Sequence, residues 1–79
     1  MGRVMLHEVV ARALKVPVAS VTDASSPETL RSWDSLSHLD LISEIEEAYD
    51  VRFSTGDILK AKSVADVRRL LREKGLEVD

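Results

Sequence analysis

Apolar residues near the start of the chain recur with the spacing of one face of an α-helix. The positions i, i+3, i+4, i+7 and i+8 are occupied by Leu6, Val9, Val10, Ala13 and Leu14. This spacing is typical of an amphipathic helix that packs one side against a core. Because Pro17 lacks the backbone N–H that a helix interior needs, the pattern predicts a first helix that ends at Pro17.

The segment from residue 17 to residue 34 breaks this pattern and predicts a loop of 18 residues. It carries two prolines and several Ser and Thr, and its apolar residues are scattered: Val18, Val21, Leu30 and Trp33. Loops of this length in compact domains are uncommon and are usually functional or disordered. The embedded apolar residues favour an ordered loop that packs across the domain, with one helical turn from Ser26 and Pro27.

A second amphipathic pattern begins at Asp34 or Ser35, both good residues for a helix N-terminus, and runs to about Tyr49. One side of this predicted helix carries the core residues His38, Leu41, Ile42, Ile45, Ala48 and Tyr49. The opposite side carries the acidic residues Asp40, Glu44 and Glu47. Leu36 falls on the acidic side, which predicts an exposed leucine beside Ser35.

The rest of the chain predicts two further helices. Residues 54–57 offer a cap for a short third helix through Ile58 and Leu59. Ser63, with Asp66 three residues later, resembles the capping box that begins a fourth helix. The apolar stripe of this helix and the glycine that ends it are Val64, Val67, Leu70, Leu71 and Gly75.

No strand pattern is present, so the sequence predicts an all-α fold. The expected architecture is a small four-helix bundle, with three main helices, a short third helix and a long loop between helices 1 and 2. With 79 residues, of which 44% are hydrophobic, the chain fits a single domain over residues 1–79. One small core leaves little room for an enclosed enzyme cleft.

The composition narrows the class of protein further. The chain has no cysteine, which excludes disulfides and thiolate metal sites and favours a cytoplasmic protein. No apolar run approaches the roughly 20 residues that span a bilayer, and the first residues lack the apolar core of a signal peptide. We therefore expect no membrane segment, and we also expect the protein to be a monomer.

Charge is distributed unevenly along the chain. Residues 34–50 contain six acidic residues and no Lys or Arg, whereas residues 51–75 contain seven basic residues and three acidic ones. A nucleic-acid-binding protein would carry its basic residues as a dominant stripe. The layout instead favours steering of a charged protein partner by the acidic segment.

Few residues could carry chemistry. The only histidines are His7 and His38, which lie on different predicted helices and give neither a nucleophilic triad nor a recognised metal spacing. The three glycines are too far apart for a phosphate-binding loop. What remains is Ser35 at a helix N-terminus, where free backbone N–H groups and the helix dipole favour an attached phosphate. Taken alone, such a serine is more often an ordinary helix cap.

The surroundings of Ser35 resemble the acyl carrier protein family. In that family an Asp-Ser-Leu tripeptide opens an acidic amphipathic helix, and the matching segments here are Trp33–Leu36, Leu39–Ile42 and Ile45–Tyr49. The resemblance extends to the apolar first helix, the long loop, the short third helix and the capped last helix. It implies a carrier protein and not an enzyme.

The resemblance also implies specific roles. Ser35 would be the attachment site of 4'-phosphopantetheine, which a phosphopantetheinyl transferase moves from coenzyme A with magnesium bound at the transferase. The arm would hold acyl intermediates as thioesters and present them to acyl-loading, condensing or tailoring enzymes, whose basic patches dock on the second helix. The implied partner contacts are Leu36, Asp40, Glu46 and Glu47, with Asp34 supporting the motif.

The sequence departs from the pattern of fatty-acid carriers at several positions. A glycine commonly precedes the motif in fatty-acid carriers, whereas Ser32 and Trp33 stand here, and Ser37 and Ser43 occupy positions that are often acidic or apolar. These differences favour a specialised carrier, for example in secondary metabolism, over the fatty-acid carrier. We interpret Trp33 as a loop residue packed on the end of the bundle. Five apolar residues could line a pocket for a short acyl cargo, but the favoured interpretation is that they are ordinary core residues: Leu41, Ile45, Phe53, Ile58 and Leu59.

Two alternatives remain open at this point. A peptidyl or aminoacyl carrier would be loaded by an adenylating enzyme, but it usually has Gly before the motif serine and a less acidic second helix. An unmodified helical module could instead dock by its acidic helix. The initial Met and the end of the chain after helix 4 favour a free-standing protein.

Overall fold

Helices account for all the regular structure in the part of the chain that the structure describes. The computed structural model describes residues 5–78. The helices are α1 (Leu6–Leu14), α2 (Ser35–Tyr49), α3 (Thr55–Lys60) and α4 (Val64–Glu73), with a short 3-10 helix at Val18–Ser20. No strand occurs within residues 5–78. The predicted all-α bundle with a short third helix and a long loop after the first helix is confirmed.

The first helix ends slightly earlier than Pro17, because the chain reverses at Lys15. Lys15 adopts a left-handed conformation with φ 60°, and the N–H groups of Lys15 and Val16 donate to the carbonyls of the last turn. Four of the five residues predicted for the apolar stripe are buried. The fifth, Ala13, is only half-buried, and Ala11 is buried in addition.

The core lies where α1 packs against α2 and α4. Its fully enclosed side chains come from these three helices and from the loop, and they are Trp33, Leu6, Leu41, Ile45, Leu71, Val9, Val10, Val64 and Val67. None of the residues of α3, all of which the structure describes, is buried. The third helix is therefore attached through its flanking residues, through hydrogen bonds and through the half-buried Ile58.

The loop between α1 and α2 is ordered because its backbone supplies the N-terminal cap of α4. The carbonyl oxygen of Ser25 accepts a hydrogen bond from the N–H of Val64 at 3.0 Å, and that of Asp23 accepts from Ala65 at 2.9 Å. The first N–H groups of a helix have no partner within the helix. These bonds therefore give the N–H groups of Val64 and Ala65 an acceptor and at the same time fix the loop against α4. The predicted turn at Ser26 is present, since the N–H of Leu30 donates to the Ser26 carbonyl at 2.9 Å.

Asp23 also joins the loop to two helices through its side chain. The Arg68 guanidinium donates from Nε to Asp23 Oδ2 at 3.0 Å and from Nη2 to Oδ1 at 2.9 Å, and His7 Nε2 lies 2.7 Å from the same Oδ1. The hydrogen bond from Arg68 is the main cause that holds the pKa of Asp23 below its ordinary value, and the bond from His7 adds to it. A bidentate Arg–carboxylate pair of this kind fixes orientation as well as distance.

The helix caps agree with the sequence in position and differ in one detail. Ser54 and Asp57 form a reciprocal capping box on α3. Ser63 Oγ accepts from the N–H of Asp66 at 3.1 Å, but the Asp66 carboxylate pairs with Arg69 at 2.8 Å instead of bonding back to Ser63. The capping box predicted for α4 is therefore only half formed.

The apolar residues of the loop differ in burial. Val21 and Trp33 of the loop are buried as expected, whereas Val18 is exposed on the 3-10 helix. Within residues 5–78, no helix combines the length and the apolar character that a membrane crossing requires.

We predict that Asp23→Ala lowers the free energy of unfolding by about 1 kcal/mol, because the Arg68 guanidinium is left without its charged acceptor. The Arg68 side chain is only 14% exposed, so water replaces the lost acceptor poorly, while Asp23 is 49% exposed, which limits the loss. The measurement is urea unfolding followed by circular dichroism.

The control for this variant is Arg69→Ala, which removes a pair between the exposed Arg69 and the half-buried Asp66 on one helix. We expect it to change stability by no more than about 0.5 kcal/mol. Equal effects of the two substitutions would contradict the role of Asp23 as the anchor of the loop.

Candidate functional site

Ser35 is the first residue of α2 and is exposed at the end of the bundle. In the described part of the chain its hydroxyl makes no hydrogen bond. The cap of the helix is Asp34 and not Ser35. The serine is therefore presented by the helix terminus without being needed to form it.

A closed set of hydrogen bonds fixes the chain on both sides of Ser35. Asp34 Oδ1 accepts from the N–H of Leu36 at 3.1 Å and from the N–H of Ser37 at 3.0 Å. Ser37 Oγ accepts from the N–H of Asp34 at 2.7 Å and donates to the carbonyl of Ser32. This reciprocal capping box leaves Ser35 between two residues whose backbones are both held.

The cap changes the electrostatics expected at Ser35. The N–H groups of Leu36 and Ser37 are taken by the Asp34 carboxylate, and that of His38 donates to the Asp34 carbonyl at 2.8 Å. A phosphate on Ser35 would thus be favoured by the helix dipole but would not find these donors free. The hydrogen bonds from Ser37 are the main cause that lowers the pKa of Asp34, so the carboxylate is charged at neutral pH.

A groove of about 600 Å³ lies beside Ser35. One wall is the loop at Ser26, Pro27 and Glu28, and the other is the end of α3 with Ile58, Leu59, Ala61 and Lys62. Trp33, Asp34, Ser35 and His38 form the part between these walls. The groove brings Ser35 together with residues from the loop, α2 and α3.

Two aromatic side chains of the groove hold each other in place. The indole Nε1–H of Trp33 donates to His38 Nδ1 at 2.9 Å, and His38 Nε2 bonds to the carbonyl oxygen of Ile58 at 3.0 Å. Trp33 is 1% exposed, as expected for a loop residue packed on the bundle. His38 lies on the core side of α2, half-buried, where the sequence placed it.

The residues proposed as partner contacts divide into two groups. Leu36, which is 79% exposed, and the exposed Asp40 and Glu47 lie on the surface as expected. Asp34 and Glu46 serve the fold instead: Asp34 caps α2, and Glu46 Oε2 accepts from the N–H of Phe53 at 2.8 Å. The carboxylate of Glu46 is thus only partly available to a partner.

The five residues considered for an interior cargo pocket divide between the core and the groove. Leu41 and Ile45 are completely buried and Phe53 nearly so, which makes them plain core. Ile58 and Leu59 line the groove beside Ser35 instead, and Leu59 is 69% exposed. The sequence did not identify Leu59 as a surface residue, because a helix of six residues is too short to reveal its exposed face.

The glycine that often precedes the motif serine is not required by this backbone. Within the described residues the only non-glycine positions with positive φ are Lys15 and Asp50. Ser32 and Trp33 therefore adopt conformations open to any L-residue. The Ser32 hydroxyl is buried and has no hydrogen-bond partner among these residues.

Comparison with known proteins identifies the family of the chain. The family model described as "phosphopantetheine attachment site" matches residues 6–71, which include all of the groove and the four helices up to Leu71. No curated protein matches the chain.

We predict that Asp34→Asn makes the free energy of unfolding less sensitive to acid. The unfolded chain binds a proton at the ordinary pKa of 3.8, whereas the folded chain binds it only at lower pH. The contribution of Asp34 is thus complete above that value and is lost as the pH falls through the lowered pKa. Asn retains a capping oxygen but does not titrate.

The measurement is denaturant unfolding from pH 6 to pH 2.5. Part of the acid sensitivity should remain, because hydrogen bonds also lower the pKa values of Asp23 and Asp57. Asp34→Ala, which removes the capping oxygen as well, should lose stability at every pH. An Asp34→Asn protein with the wild-type pH profile would contradict the prediction.

Proposed function

Because the chain belongs to the phosphopantetheine attachment site family, and is therefore a carrier protein with covalently attached 4'-phosphopantetheine, we propose that it is an acyl carrier protein whose arm is bound to Ser35. The observation that carries the proposal is an exposed serine, whose hydroxyl makes no hydrogen bond within residues 5–78, at the start of a helix with an acidic surface. The chain itself would be non-catalytic.

The residues around Ser35 fit such an arm. The hydroxyl faces no competing hydrogen bond within residues 5–78, and the adjacent groove offers an apolar surface along which an arm could lie. In the loading step Ser35 Oγ forms a bond to phosphorus as the phosphorus–oxygen bond to the nucleotide part of coenzyme A breaks, and the hydroxyl proton passes to the transferase. When bound, the arm supplies the thiol that holds cargo as a thioester.

The chain's own contribution is to hold and present Ser35. The cap formed by Asp34 and Ser37 fixes the backbone, so a partner meets the serine in one orientation. Preorganisation of this kind lowers the cost of each encounter. A carrier that visits several enzymes needs fast and reversible contact more than tight binding.

We define the docking surface as Leu36, Asp40, Glu47 and Leu59, which are exposed on α2 and α3. Asp40 and Glu47 have no ion-pair partner among the described residues, whereas Glu44 lies 3.7 Å from Arg12. Exposed charges contribute little affinity but speed and orient association. The proposed partners are the phosphopantetheinyl transferase and acyl-loading, condensing or tailoring enzymes with basic patches.

The acidic surface also favours an acyl over a peptidyl carrier. Six acidic residues lie between residues 34 and 50 without a single Lys or Arg, and a peptidyl carrier usually has a less acidic second helix. Ser32 and Trp33 stand before the motif, where fatty-acid carriers commonly have a glycine, and this departure supports a specialised pathway.

We predict that Ser35→Ala abolishes loading without loss of stability. Asp34 provides the cap, so removal of an exposed hydroxyl at the first helical position should change the free energy of unfolding by less than about 0.5 kcal/mol. Intact mass after incubation with coenzyme A and a broad-specificity transferase measures loading.

The control is Ser37→Ala, which removes a member of the capping box but leaves Ser35 in place. It should be less stable than the wild type and still gain one phosphopantetheine. If the wild type gains none under conditions that load a known carrier, the chain is an unmodified interaction module and the proposal is wrong.

We predict that the double variant Asp40→Lys, Glu47→Lys lowers the kcat/KM of loading about tenfold at low ionic strength, because two attractive charges become repulsive. The difference should shrink as salt is added, since salt screens exposed charges. The measurement is the loading rate at several salt concentrations.

The matched control is Glu73→Lys, Glu77→Lys, which changes the net charge by the same amount at exposed positions outside the docking surface. It should load at close to the wild-type rate. If both double variants are loaded equally slowly, the effect is due to net charge, and the proposed docking surface is wrong.

A further inference from the structure

The ring of His38 is bonded on both sides by groups whose polarity is fixed. An indole N–H can only donate a hydrogen bond and a carbonyl oxygen can only accept one. His38 Nδ1 must therefore be unprotonated where it meets Trp33 Nε1–H at 2.9 Å, and Nε2 must carry the proton that reaches the Ile58 carbonyl at 3.0 Å. Only the neutral Nε2–H tautomer satisfies both contacts.

This one side chain connects three parts of the molecule. His38 belongs to α2, Trp33 ends the long loop two residues before Ser35, and Ile58 lies in α3. The Trp33 and His38 rings lie within 22° of parallel with their centroids 6.0 Å apart. Because no residue of α3 is buried, the bond to Ile58 is one of the few that hold this helix against α2.

The same side chain borders the groove beside Ser35. The charged groups that line that groove are Glu28 from the loop, Asp34 from the start of α2 and Lys62 after α3. Within residues 5–78 the side chains of these three residues make no hydrogen bond or ion pair with the ring of His38, whose partners are Trp33 and Ile58. The state of the His38 ring is thus coupled most directly to Trp33.

We propose that neutral His38 is a positioning residue for transfer of the arm to Ser35, and that its protonation releases Trp33. The inference rests on the proposed role of Ser35. A proton on Nδ1 would set two N–H donors against each other and leave the buried indole N–H without an acceptor. Because Trp33 directly precedes the Asp34 cap, its release disturbs the backbone that presents Ser35.

Trp33 fluorescence tests the contact without any partner enzyme, since Trp33 is the only tryptophan of the chain. In the wild type we expect a reversible change of emission as the pH falls from 8 to 5, the range in which histidine titrates. His38→Gln offers an acceptor and a donor without a titrating proton and should show no such change. Wild-type emission that stays constant over this range would overturn the proposal.

Loading kinetics test the consequence for Ser35. The ratio of kcat/KM between the wild type and His38→Gln cancels the pH dependence of the transferase and that of His7, which both proteins share. We expect a ratio near one at pH 8 that falls as the pH is lowered to 5, with a limit of about tenfold, the fold-change that corresponds to one lost hydrogen bond. A ratio that is independent of pH would refute the positioning role.

His38→Phe separates this role from simple packing. It keeps an aromatic ring but neither hydrogen bond, so we expect slow loading at every pH and a constant ratio to His38→Gln. Loading of His38→Phe at the rate of His38→Gln would also count against the proposal. If the wild type is not loaded at all, the proposed function fails, while the fluorescence titration still decides whether His38 holds Trp33.

Discussion

The position of Ser35 depends on the order of the long loop that leads to it. Fixing a backbone of this length costs conformational entropy at every residue, and the loop has few apolar side chains to offset that cost. Two hydrogen-bond sets offset this cost. Loop carbonyls accept from the first N–H groups of α4, and the side chain of Asp23 binds Arg68 and His7. The same bonds thus complete a helix and order a loop, so neither segment needs extra residues.

A second set of contacts transmits this order to the serine. The loop ends in the buried Trp33, and within the six residues 33–38 the chain forms the bonds among Trp33, Asp34, Ser37 and His38. Polar side chains here bond to one another and to the backbone, which leaves Ser35 and Leu36 facing outward. Rigidity and accessibility, which usually oppose each other, are therefore combined because they are assigned to different neighbouring residues.

The helices, their caps and the exposure of Leu36 could be predicted because they depend on residues close together in sequence. Periodicity gave α1, α2 and α4 to within a few residues, and the Asp-Ser-Leu tripeptide identified the candidate site. Contacts between distant residues could not be read in this way. The bonds from Asp23 to Arg68 and from Glu46 to Phe53 link segments whose approach is decided only by packing, and α3 was too short for its pattern to separate Leu59 from Ile58.

The absence of buried side chains from α3, whose residues are all described, has a consequence for motion. Local stability follows the apolar contacts that an element would lose on opening, so α3 should open and close more often than the helices that form the core. One wall of the groove is then soft while the wall formed by the loop is firm. Such a wall can yield to occupants of different size without any change at the cap of α2, so the width of the groove can vary while the place of attachment stays constant.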